Sequence, residues 1–223
     1  MNPQSWIKFL RKYGPIPKNE NMYDETIQRS SLRSKIPPIE FEHPIHDTII
    51  SCFDQRTTDP YSVILTGTAG DGKTHLCRQV WKMLNGRDED WASDNPYLSI
   101  KSRYPKDRKS WPQSSTPELY REVTIHFIRD LSSWAPQQGY EWKPEKECLL
   151  HKFCRSLFDL ESDEVFLIAG NDGQLIESFR RLKDTEHVVK ARKVFEDLLV
   201  EDRQEIENVR LKFFNLSRGD SAE

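Results

Sequence analysis

Glycine is scarce in this chain, nine residues in 223, so where it clusters carries information. Other shortages narrow the field first. The four cysteines, Cys52, Cys77, Cys148 and Cys154, include no C-x-x-C pair. With no signal-peptide pattern at the N-terminus, they read as reduced thiols in a cytoplasmic protein rather than as disulfides or a zinc site. No apolar run approaches membrane-spanning length, so no membrane partner is expected. Neither sign of charge dominates: 33 Lys and Arg face 36 Asp and Glu, a net charge of -3. That balance gives no electrostatic case for bulk attraction to nucleic acid or to a lipid surface. Apolar residues make up only 36% and charged ones 31%. Such a chain has either a heavily solvated surface or faces that await protein partners or further copies of itself. The length suits one sizeable α/β domain with short flanks and argues against two full domains.

Three of the nine glycines, Gly67, Gly70 and Gly72, fall within the string Gly67-Thr68-Ala69-Gly70-Asp71-Gly72-Lys73-Thr74-His75. This string matches the phosphate-binding pattern G-x-x-x-x-G-K-[ST], and its context fits. Tyr61 to Leu65 upstream is a short apolar run that reads as a buried parallel strand. Leu76, Val80, Trp81 and Leu84 downstream recur at helical spacing, so a helix is expected to begin at the Lys73-Thr74 pair. The glycines let the backbone turn its N–H groups toward a polyphosphate, and the helix N-terminus adds its dipole. Lys73 is expected to reach the β- and γ-phosphates and the Thr74 hydroxyl to hold Mg²⁺. A nucleoside triphosphate, ATP with Mg²⁺, is therefore the expected ligand. The GTP-reading segment N-K-x-D follows no strand.

The remaining pattern is one of alternation. Residues 1–60 read as an accessory segment of helices and extended chain. Short helices are expected near Trp6 to Leu10, Asp24 to Arg33 and His43 to Phe53, with Ile36 to Phe41 a candidate wall for a base. The core is expected over 61–218, with a polar tail at 219–223. Within it, 87–117 is rich in Asp, Ser, Pro, Lys and Trp and reads as a surface insertion, with one short strand at Tyr97 to Ile100. Its cations Lys101, Arg103, Lys106, Arg108 and Lys109, with Trp111, also suit single-stranded nucleic acid, although a solvated loop is the preferred reading. Strands are expected at Glu122 to Arg129, Val165 to Ala169 and Val209 to Leu216. Helices are expected at Lys146 to Leu160, Gln174 to Leu182 and His187 to Leu199. Strands alternating with helices give a mainly parallel sheet of four to five strands, whose ligands sit at the carboxyl ends of the strands. The loop, Asp130, Asn171 and Arg218 all fall at such ends.

Cleaving a phosphoanhydride needs a carboxylate near Mg²⁺, a polar group that orients water or senses the γ-phosphate, and a cation for the developing charge. Asp130 and Asp172 compete for the first role; each is also an ordinary helix cap or turn residue. Asp130, with Thr74, is the preferred Mg²⁺ ligand, because Asn171 then takes the sensor position. Arg218 is the candidate cation, with a plain surface arginine as the alternative. His126 alternates within a strand and is read as a core histidine.

The string Gly67 to Leu76 resembles the phosphate loop of AAA+/STAND-type ATPases. Phe166-Leu167-Ile168-Ala169-Gly170-Asn171-Asp172-Gly173-Gln174-Leu175 is similar to their A-A-N-E-G-x-L segment, where Asn171 takes the sensor-1 place. Ile128 to Ser132 resembles the strand ending in D-x-S, and Phe213 to Arg218 is similar to a D-L-N-x-R strand. The set resembles ATPases of prokaryotic anti-phage and restriction systems, including the ATPase of phosphorothioation-dependent DNA restriction. That resemblance implies a P-loop NTPase three-layer sandwich and an ATP-driven switch in a defence or DNA-processing assembly. Three departures stand out: no Asp-Glu pair follows any strand, one of the five expected strands is evident only if Tyr97 to Ile100 supplies it, and the sequence stops just past Arg218, where a lid is expected. Slow or partner-dependent hydrolysis, or a longer protein of which this is the N-terminal part, are the readings these leave. A nucleotide-binding adaptor that does not hydrolyse ATP, and a small-molecule kinase, are the alternatives.

Overall fold

The run Ser62-Val63-Ile64-Leu65-Thr66 is apolar on both faces of an extended chain, which suits only a strand covered on both sides. It forms β1 (Ser62–Thr66), and all five of its residues are buried. The computed structural model describes residues 7, 31, 33–36, 43–57, 59–91, 95–106, 119–136 and 140–217. Around β1 the order is α1 (His46–Phe53), β1, α2 (Lys73–Met83), α3 (Asp88–Trp91), β2 (Tyr97–Pro105), β3 (Tyr120–Ile128), α4 (Leu131–Trp134), α5 (Pro144–Ser156), β4 (Glu164–Ala169), α6 (Asp172–Arg180), α7 (Glu186–Glu201) and β5 (Leu211–Asn215).

The chain divides into two units, Met1–Pro44 and Ile45–Glu223. In the first, Ile7, Ser31, Arg33 and Ser34 are helical, and the Ser31 hydroxyl donates to the Ile36 carbonyl at 2.6 Å. Most of the helices expected before residue 34, and most of the Ile36 to Phe41 wall, lie outside the described residues. Helix α1 belongs with the sheet, so the second unit begins at Ile45 rather than at residue 61.

That second unit is an α/β fold around a five-stranded sheet of order β2-β3-β4-β1-β5. Strands β3, β4, β1 and β5 run parallel, with Val63 opposite Leu167 and Thr66 opposite Asn215. The edge strand β2 runs antiparallel to β3, Tyr97 opposite Ile128 and Pro105 opposite Tyr120. Much of the segment expected as a surface insertion is thus nine residues of sheet. Side chains alternate across the pleat, and helices cover both faces. Val63 and Leu65 pack with Ile49 and Phe53 of α1 and with Leu76, Val80 and Trp81 of α2. On the opposite face, Ile64 shares a cluster with Phe153 of α5, Phe179 of α6 and Phe195 of α7. Phe153 is the hub there, its ring centroid 5.1 Å from that of Phe166, 5.7 Å from Phe179 and 6.1 Å from Phe195. Three of the cysteines are buried free thiols, and burial pushes Cys77 and Cys154 up to about 12.

His126 is a core residue, 5% exposed. Its Nδ1 lies 2.9 Å from the Tyr97 hydroxyl, its Nε2 is hydrogen-bonded to Glu164, and its ring stacks on Phe166 at 4.5 Å. Burial, the largest influence, lowers its pKa below the ordinary 6.5, against the pull of the Glu164 carboxylate. A depressed pKa means that the fold favours neutral imidazole. The resulting stability is complete above pH 6.5 and is lost as pH falls toward the lower folded value. Urea midpoints measured from pH 7.5 to 5 should therefore fall more steeply for the native chain than for His126→Phe; equal slopes would contradict this.

Candidate functional site

At the end of β1 the backbone takes left-handed φ values at three glycines, Gly67 (136°), Gly70 (93°) and Gly72 (82°). Two of these positions demand glycine for separate reasons. Gly72 is the N-cap of α2 in the left-handed region, a conformation that side chains resist. Gly67 is packed so closely that an added Cβ would sit 2.5 Å from Asp71 Oδ2 and 3.1 Å from Ser217 Oγ. The glycine-rich loop delivers the chain into α2 with no side-chain cap and no acidic residue in the first helical turn. The other helices that leave this edge of the sheet are capped: Asp130 caps α4 and Asn171 caps α6. Helix α2 thus presents first-turn N–H groups that no capping side chain satisfies, at the positive end of its dipole.

Lys73 folds back over the loop and donates its ammonium to the Gly67 carbonyl at 3.0 Å and the Thr68 carbonyl at 2.5 Å. Asp71 closes the loop from inside. Its Oδ2 accepts from the Thr68 N–H at 2.6 Å and from the Ser217 hydroxyl at 2.6 Å, and Thr68 Oγ1 donates to the same carboxylate at 3.1 Å. The Thr68 N–H also reaches Ser217 Oγ at 2.7 Å. Burial pulls the Asp71 carboxyl upward, but the Ser217 and Thr68 hydrogen bonds and the Lys73 charge outweigh it, leaving it below the ordinary carboxylate range. Thr74 and His75 are half-buried in the first turn of α2, with His75 Nε2 lying 3.1 Å from Gln79 Nε2.

The neighbouring strands complete the surroundings. Because β4 and β5 flank β1, the hydrogen bond from Asn215 Nδ2 to Asp172 Oδ2, 3.1 Å, spans the point where β1 gives way to the loop. Beside it two buried oxygens, Asp172 Oδ1 and Thr66 Oγ1, have no hydrogen-bond partner. Two unsatisfied oxygens at one root are unusual, since buried polar groups are normally paired. They suit a site completed by a ligand or solvent. No family model, curated protein or solved structure matches this chain. The case for its chemistry therefore stands on these contacts.

Of the residues singled out by sequence, the structure brings together Gly67 to His75 and Asp172. Asp130 lies a strand further away, at the end of β3, where its Oδ1 accepts from the Ser132 N–H at 2.9 Å and the Ser132 hydroxyl at 2.5 Å. Asn171 sits in a capping box, its Oδ1 accepting from the Gln174 N–H at 2.7 Å. Both thus serve as helix caps in this state. Arg218 lies outside the described residues, as do Arg108, Lys109 and Trp111. Lys101 pairs with Glu122 at 2.6 Å across β2 and β3. Among the described residues, no group of three or more His, Cys, Asp or Glu side chains is placed to hold a metal ion. Sequence reasoning missed Asn215, Ser217 and Thr66. Asn215 and Ser217 belong to the string in which only Arg218 stood out.

Proposed function

We infer that this chain is a P-loop NTPase that binds ATP with Mg²⁺ at Gly67 to Thr74 and uses it as a conformational or assembly switch. The observation that carries this reading is the three-glycine turn from a central parallel strand into an uncapped helix, with an ammonium folded over it. Polyphosphate would replace the loop carbonyls as the partner of Lys73 and meet the first-turn N–H groups of α2. The strand order supports the reading as well: the strand that leads to Asn171 lies between the loop strand and the strand that leads to Asp130. A sensor and an acidic residue then share one edge with the phosphates. The residues fit Mg²⁺: the Thr74 hydroxyl and one of the two carboxylates, Asp130 or Asp172, would hold it. Of these, Asp172 has an unpaired buried oxygen beside the loop. Bound there, Mg²⁺ would supply charge neutralisation to the phosphates.

Hydrolysis is the proposed reaction: water attacks the γ-phosphorus, the bond to the β-phosphate oxygen breaks, and ADP and phosphate leave. The defence or DNA-processing setting rests on the family resemblance alone. A non-hydrolysing adaptor is the second reading, and one observation favours it. Asp130 and Asn171 both spend an oxygen on a helix cap. Titration with Mg-ATP should show saturable binding in the micromolar range, about -8 kcal/mol. No association at millimolar nucleotide would end the proposal. Single-turnover release of phosphate at the uncatalysed rate, with binding intact, would select the adaptor.

A further inference from the structure

The glycine-rich loop already holds an anion of its own. We propose that the Asp71 carboxylate, clamped by Thr68 and Ser217, is an intramolecular latch that nucleotide must displace, so that the end of β5 reports on occupancy of the loop. The inference rests on the loop being a nucleotide site and adds the regulation of that site. Three contacts form one closed knot: Thr68 N–H to Asp71 Oδ2 at 2.6 Å, Ser217 Oγ to Asp71 Oδ2 at 2.6 Å, and Thr68 N–H to Ser217 Oγ at 2.7 Å. The Lys73 ammonium lies over the same loop, on the Gly67 and Thr68 carbonyls. Charge in the free loop is therefore internally balanced, carboxylate against ammonium.

A triphosphate entering that space places like charge beside Asp71, so the carboxylate has to leave as the phosphates arrive. Its departure removes the acceptor of the Ser217 hydroxyl. Ser217 sits 146 residues away in sequence, just past the end of β5 and beyond Leu216. Its N–H is held by Asn215 Oδ1 at 3.1 Å, and the Asn215 amide holds Asp172 in turn. Release at the loop is thus passed along one short chain of hydrogen bonds to the carboxylate at the start of α6. The close seat of Gly67 fits the same device, since a Cβ there would strike both Asp71 and Ser217.

The latch state taxes affinity, because only the open fraction of the protein binds. The test is the affinity of Mg-ATP for the full chain, by calorimetry, in native protein and in Asp71→Ala, Asp71→Asn, Ser217→Ala and the double variant Asp71→Ala/Ser217→Ala. Circular dichroism confirms that each is folded. Asp71→Ala should bind about tenfold tighter and Ser217→Ala a few-fold tighter, with the double variant gaining little beyond Asp71→Ala, since one knot is broken once. The amide of Thr68 should also lose hydrogen-exchange protection when Mg-ATP binds to the native chain. If the native chain binds and both Asp71 variants bind equally or more weakly, the carboxylate merely shapes the loop and the latch is overturned while the nucleotide site stands. If neither the native chain nor any variant binds, the nucleotide reading itself has failed and the latch falls with it.

Discussion

Lys73→Ala should weaken Mg-ATP binding by about 100-fold or more, roughly 3 kcal/mol, while leaving the urea midpoint nearly unchanged. In the free chain the ammonium donates to two loop carbonyls, that of buried Gly67 at 3.0 Å and that of exposed Thr68 at 2.5 Å, and water replaces it readily at the second. Its loss therefore costs folding on the order of 1 kcal/mol. In a nucleotide complex the same ammonium would face the β- and γ-phosphates from a loop that otherwise offers N–H dipoles. Calorimetry on the two proteins checks the first half and urea denaturation the second. Equal affinities would remove Lys73 from the site. A large drop in midpoint would make it a structural residue instead.

The second large effect lies at the opposite end of the sheet and concerns folding alone. Arg210→Met should destabilise the protein by about 3–5 kcal/mol. Arg210 is 5% exposed. Its Nη1 donates to the carbonyls of Asp159 at 2.9 Å and Ser162 at 3.0 Å, and its Nη2 to that of Pro60 at 3.0 Å. Its own backbone accepts from the Ser62 N–H and donates to the Leu157 carbonyl. One guanidinium thus ties together the entry to β1, the turn before β4 and the entry to β5. Methionine fills much of the same volume yet strands three carbonyls, and each stranded group keeps its full desolvation cost. The urea midpoint should fall with the slope preserved; a change under 1 kcal/mol would mean that solvent reaches those carbonyls.

The sequence makes plain whatever is local and continuous. β1, the loop and α2 are contiguous, and a central strand buried on both sides is an unbroken apolar run, so glycine spacing and periodicity locate all three. Helix α5 is legible for the same reason, though it ends at Ser156 rather than at Leu160. β2 is harder to see. It lies at an edge with one face wet, so its residues alternate between exposed Ser99, Lys101 and Arg103 and half-buried or buried Leu98, Ile100 and Ser102, and the polar half reads as loop. The partners of the loop are harder still. Ser217 and Asp71 meet only because β5 lies beside β1, and strand order is not written in local composition. In the sequence a cap is one of the two readings of Asp130, whereas Asn171 reads only as a sensor, although the same carboxylate or amide serves a helix start or a phosphate equally well.

The antiparallel edge strand has a consequence for how copies of this protein can meet. β2 is the outermost strand on its side among the described residues, and such a border is a template on which another chain can extend the sheet. Here the border carries Lys101 and Arg103 on its wet face and ends in Pro105, which offers no N–H to an incoming backbone. Lengthwise growth into fibres is discouraged on that flank, which leaves any functional association to form elsewhere, the β5 border included.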